Sequence, residues 1–195
     1  MKCGLVVLAG LFLAGEPVVT FAGSGDHSCV AKVPVGLLKR LASEYPGYHV
    51  AEPSEYDPED VERRKKEVDG DPCFSVATAD VDGGGTVDYG LIVAGPKGVL
   101  LLAARDVRDK GWLISRLDNL GPYERPLRAY VDPLDAGSYE DMYTTDKGPS
   151  DYVPEPGRVP RLRAKHAGFI AGAIEATAVG YFLTDKGWVH MQLGD

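Results

Sequence analysis

The period of the apolar residues changes near residue 70 of this chain. Before it, Leu38, Leu41, Ala42 and Tyr45 fall at the i, i+3, i+4, i+7 spacing of one helix face, with Lys39, Arg40, Ser43 and Glu44 between them. That spacing predicts a helix over 34–45, stopped by Pro46-Gly47. A second helix is predicted after Asp57, an N-cap followed by Pro58 in the first turn and by the acidic Glu59 and Asp60. Its remainder, 61–67, is mostly charged and reads as a solvated face. Beyond Gly70 the pattern is that of strands. Residues 74–79 lead into an acidic loop, 87–94 leave it with Val87, Tyr89, Leu91 and Val93 on one face, and 99–104 form a continuous apolar run after the turn Gly95-Pro96-Lys97-Gly98.

A fourth strand, 112–117, follows Asp109-Lys110-Gly111, and strands resume at 169–171, 173–183 and 188–193. Asp-Lys-Gly-Trp recurs at 185–188, and both copies read as β-hairpins with glycine in the positive-φ position. Between 121 and 161 seven prolines, several glycines and the tyrosines 123, 130, 139, 143 and 152 predict an irregular segment that packs on the sheet or offers a contact surface. The expected fold is α+β, two short N-terminal helices followed by a mainly antiparallel β-sheet meander. A single domain over 23–195 accommodates it.

The first 22 residues change the picture of where this domain resides. Lys2 precedes an apolar stretch over 3–14, and small residues near Thr20-Phe21-Ala22 suit signal-peptidase cleavage. Gly15-Glu16-Pro17 interrupts the run before it reaches the roughly 20 residues of a membrane span, so a retained anchor is the lesser reading and no membrane insertion is expected after cleavage. Cys3 lies too early for lipoprotein processing. Removal of the leader leaves 173 of 195 residues, enough for one core, and the net charge stays at −8. That acidity argues against a nucleic-acid partner, which calls for a basic patch. Cys29 and Cys73 then remain, and an even count in an exported chain predicts one disulfide; two buried thiols are the alternative.

One stretch carries specific chemistry. Asp80-Val81-Asp82-Gly83-Gly84-Gly85-Thr86-Val87-Asp88 sets acidic residues and glycines at the spacing of an oxygen-rich cation loop between two strands. It resembles the strand-loop-strand calcium motif of FG-GAP and VCBS-type repeats, Asp-x-Asp-x-Asp-Gly-x-x-Asp, as found singly in uncharacterised exported bacterial proteins. The resemblance covers residues 75–94 and implies calcium ligation by the carboxylates of Asp80, Asp82 and Asp88 and by the main-chain carbonyl of Thr86. Gly84 stands where that pattern has its third carboxylate, so weak affinity is expected, and Leu91 at the twelfth position excludes an ordinary EF-hand. Read from the residues alone, the same loop is also a glycine-rich turn whose aspartates cap backbone N–H groups. The absence of a recurring period argues against a β-propeller.

No catalytic pattern matches this loop in specificity. The only Gly-x-Ser-like stretch, at 22–25, lies at the cleavage site, and His27, His49, His166 and His190 show no zinc-peptidase spacing. Asp132, Asp135, Glu140, Asp141 and Glu175, the last placed within a strand, supply carboxylates for an alternative, an envelope-polymer hydrolase. The leading expectation is a non-enzymatic exported protein, periplasmic or secreted, with a calcium loop. An inhibitor or immunity-type protein partnered by a protein of the cell envelope is its concrete form.

Overall fold

A computed structural model describes residues 28–144 and 155–194. The expected leader, 1–22, and the 145–154 part of the segment expected to be irregular lie outside the described residues.

Two α-helices and eleven strands, beside three single-turn 3-10 helices (Val30–Lys32, Pro53–Glu55 and Met142–Thr144), make up the regular structure described. In chain order they are α1 (Val35–Glu44), β1 (His49–Val50), α2 (Pro58–Glu67), β2 (Val76–Ala79), β3 (Asp88–Gly95), β4 (Gly98–Val107), β5 (Gly111–Gly121) and β6 (Ala129–Leu134). After them come β7 (Gly137–Glu140), β8 (Arg161–Ala164), β9 (Gly168–Ala173), β10 (Ala178–Thr184) and β11 (Gly187–Leu193). The first sheet runs β1-β3-β4-β5, and β2 also pairs with β3. Strands β1 and β2 lie end to end along the same side of β3, β1 against Val93 and Ala94 and β2 against Asp88 to Leu91. A second sheet runs β11-β10-β9-β6, and β7 pairs with β8 alone; every strand pairing is antiparallel.

The alternation of side chains across β3 and β4 organises the layers. Leu91, Val93, Leu100, Leu102 and Ala104 face Leu37 and Leu41 of α1, whereas Ile92, Ala94, Val99, Leu101 and Ala103 face Val131, Phe169, Ala171 and Tyr181 of the second sheet. Both faces of the central hairpin are covered, which explains why 99–104 reads as unbroken apolar sequence rather than alternation. Each of these fully buried leucines contributes about 2 kcal/mol by leaving water. Gly90 lets the sheets approach, since a Cβ there would lie 2.8 Å from Phe169 and 2.9 Å from Val131. The buried Cys29–Cys73 disulfide, Cα atoms 5.5 Å apart, ties the N-terminal arm to the strand entering the loop.

The expected α+β fold is corrected. Strand makes up 46% of the structure against 18% helix, and the two helices are confined to residues 35–67. The second face of the central sheet is covered by another sheet, and that sheet recruits β6 from the segment expected to be irregular. Pro133 lies within β6, tolerated because the strand closes one end of its sheet. On the helix face Leu41 is buried and Leu38 and Tyr45 pack partly against the same cluster, as expected, whereas Leu37 joins them fully buried and Ala42 is exposed. Glu175 lies not in a strand but in the turn between β9 and β10, at φ +61°. Both Asp-Lys-Gly segments do form hairpins, closed by Val107↔Gly111 and Thr184↔Gly187.

A candidate cation site in the β2–β3 loop

The antiparallel pairing of β2 with β3 sets the ends of the acidic loop side by side, Ala79 opposite Asp88. Val81 turns inward and is fully buried in the core between the sheets, which anchors the first half of the loop. The three aspartates hydrogen-bond the loop's own backbone. Asp80 Oδ2 accepts from the Gly85 N–H at 2.9 Å, Asp82 Oδ1 from the Gly84 N–H at 2.9 Å, and Asp88 Oδ2 from the Val81 N–H at 3.0 Å. Gly83 and Gly85 adopt φ of +71° and +75°, conformations that glycine enters without steric cost. The ring of His166, from the β8–β9 turn, lies over Gly83, where a Cβ would stand 2.2 Å from its Cε1.

This fold brings Asp80, Asp82 and Asp88 together, with one ligand oxygen from each lying within 4.8 Å of the others. The cluster could hold a metal ion, and its all-oxygen donor set suits a hard cation. Asp88 is fully buried with Oδ1 lacking a hydrogen-bond partner, and Asp80 Oδ1 is buried and unpartnered as well. Burial drives the Asp88 carboxyl up to about 6; the Asp82 and Asp80 carboxylates add to that rise, while the Val81 N–H and Arg105 oppose it. Thr86 lies exposed on the same loop. At Gly84, where the motif has its third carboxylate, a Cβ would stand 2.8 Å from Asp82 Oδ1, so a side chain there requires Asp82 to shift. Leu91, one turn of the pattern later, is a buried strand residue facing α1.

Sequence reasoning missed Arg105, whose Nη1 donates to Asp82 Oδ2 at 3.3 Å. The hairpin register holds the signal. Pairing Gly95 with Gly98 and counting outward reaches Tyr89↔Ala104, and one further step sets Arg105 against Asp88.

A second buried carboxylate, Glu55, gathers partners without leaving room for a ligand. Its oxygens accept from His49 Nε2 at 3.0 and 3.1 Å, Arg125 Nη2 at 2.9 Å, the Glu52 N–H at 2.8 Å and the Tyr123 hydroxyl. Burial by itself would raise this carboxyl; the hydrogen bonds from His49, Tyr123 and Glu52 outweigh it and hold the group at about 2. The hydrogen bond to Glu55 in turn raises His49. With its lone pairs engaged, Glu55 clamps β1 to the β5–β6 connection.

Of the carboxylates named for a hydrolase, Asp135 lies exposed, Glu140 pairs with Arg161 on the surface, and the other three also pair with arginines. Asp132 pairs with Arg64 and Glu175 with Arg63, consecutive residues of α2, and fully buried Asp141 accepts from Arg158 Nε and Nη2, each at 2.9 Å. Among the described residues no helix is long and apolar enough to cross a membrane. Comparison of the chain with protein-family models, with curated proteins and with solved structures finds no match.

Proposed function

We propose that this is an exported, non-enzymatic binding protein whose β2–β3 loop holds a calcium ion. The observation that carries this reading is the buried Asp88 carboxylate, which has an unpartnered oxygen and belongs to a cluster with two further carboxylates. Like charges crowded in one loop repel one another, and a divalent cation removes that repulsion while serving the oxygens that lack donors. Calcium suits the site better than magnesium because its coordination is flexible and admits water where Gly84 supplies no ligand. The leader-like sequence of the first 22 residues, the disulfide and the resemblance of the loop to exported FG-GAP and VCBS-type repeats support the location.

A net charge of −8 fits a basic protein of the cell envelope as partner, in the manner of an inhibitor or immunity protein. Each aspartate also bonds its own loop backbone, which favours a second reading in which the loop is a structural turn alone. Equilibrium dialysis against calcium separates the two. The first reading expects one ion per chain, abolished in Asp80→Asn; no retained calcium establishes the second.

A further inference from the structure

Arg105 is the one cation hydrogen-bonded to the cluster among the described residues. Its guanidinium faces Asp82, yet the contact is a single bond of 3.3 Å and not a bidentate pair. The side chain is 19% exposed, and its Nε is buried with no hydrogen-bond partner. A planar guanidinium bonded to Asp82 does not serve the other two carboxylates, and Asp80 Oδ1 and Asp88 Oδ1 stay unpartnered. Three carboxylates and one guanidinium give the site a net charge of −2, the charge that a divalent cation neutralises.

We propose that Arg105 is a tethered counter-ion that sets the charge of the loop at −2, and thereby both lowers its cation affinity and fixes its preference between divalent and trivalent ions. This inference rests on the reading of the loop as a cation site. The fixed positive charge repels any entering cation in proportion to that cation's own charge. At a separation of about 7 Å in a water-like dielectric, its removal tightens binding of a divalent ion about sevenfold and of a trivalent ion about twentyfold. The residue also supplies partial neutralisation in the cation-free protein.

The test is calorimetric titration of the protein and its R105Q and R105K variants with calcium chloride and with terbium chloride, after circular dichroism has shown each to be folded. R105Q should gain about sevenfold for calcium and about twentyfold for terbium, while R105K, which keeps the charge, stays within about twofold of the parent for both. R105M repeats the neutral change should R105Q fail to fold. Calcium binding by the parent with no gain in the neutral variants overturns the role of Arg105 and leaves the cation site standing. Binding that emerges only in R105Q supports the counter-ion role in its strongest form, and binding by none of the proteins removes the site and this inference together.

Discussion

Replacement of Asp88 by asparagine should make the cation-free protein more stable, an unusual expectation for a fully buried polar residue. The carboxyl moves from 3.8 to about 6 on folding, and at about 1.4 kcal/mol per unit the ionised form costs the native state about 3 kcal/mol at neutral pH. Asparagine has nearly the same shape without the charge, and its amide can donate towards the acceptor oxygens of Asp80 and Asp82. Allowing for desolvation of that amide, a net gain of about 1–2 kcal/mol remains. The sign with pH follows from a raised folded-state value. Asp88 contributes stability below its unfolded value near 3.8 and loses that contribution as the pH rises through about 6. The advantage of Asp88→Asn should therefore be full above about pH 7 and vanish near pH 4. Saturating calcium reverses the order, since the parent gains about 2.7 kcal/mol at a hundredfold excess over Kd and the variant gains none. Urea unfolding of both proteins in chelator and in calcium measures all four values. An Asp88→Asn variant that is less stable than the parent in chelator above neutral pH would refute the reasoning, because it would show the buried carboxylate to be well solvated or paired.

The Glu55 clamp makes a different pH prediction. Its depressed value supplies about 3 kcal/mol of stability above 4.5 that is lost as the pH falls through about 2. His49, raised by the same contact, adds stability that is complete below its unfolded value of 6.5 and is lost as the pH rises through the higher folded one. Thermal midpoints across pH should show both slopes in the parent and only the acid slope in His49→Phe. Replacing Cys29 and Cys73 by serine releases a crosslink between residues 44 apart and should cost about 4 kcal/mol in urea unfolding, in the chain-entropy account of disulfides. A loss below about 1 kcal/mol would place the stability of the N-terminal arm in the contacts that Glu52 makes with Ser28, Cys29 and Val30.

The acidic loop was legible in the sequence because its chemistry is local: Asp80, Asp82 and Asp88 lie within nine residues, and the glycines among them mark the turn. The central hairpin was legible for the same reason, with Gly95 and Gly98 closing two apolar runs. What covers those runs was not, since burial on both faces erases the alternation, and residues 99–104 look the same whether a helix or a second sheet lies beyond them. Pro133 and its neighbours concealed β6, whose place at the end of a sheet relieves the usual objection to proline. Glu175 looked like a strand residue because nothing in Ala173-Ile174-Glu175-Ala176 signals a turn by composition, although the chain reverses there. The Glu55 clamp was illegible because Tyr123 and Arg125 lie 68 and 70 residues away in sequence. Arg105 lies between these cases, since the register that sets it against Asp88 can be counted from the Gly95–Gly98 turn.

The central claim, that the β2–β3 loop is a calcium site, is tested most directly by the thermal midpoint of the oxidised protein in millimolar calcium and again in excess chelator. A cation that binds only the native state must raise that midpoint. The account predicts a rise of several degrees with calcium that disappears in Asp80→Asn. Equal midpoints in calcium and chelator would contradict it and leave the loop as a turn whose aspartates serve only its own backbone.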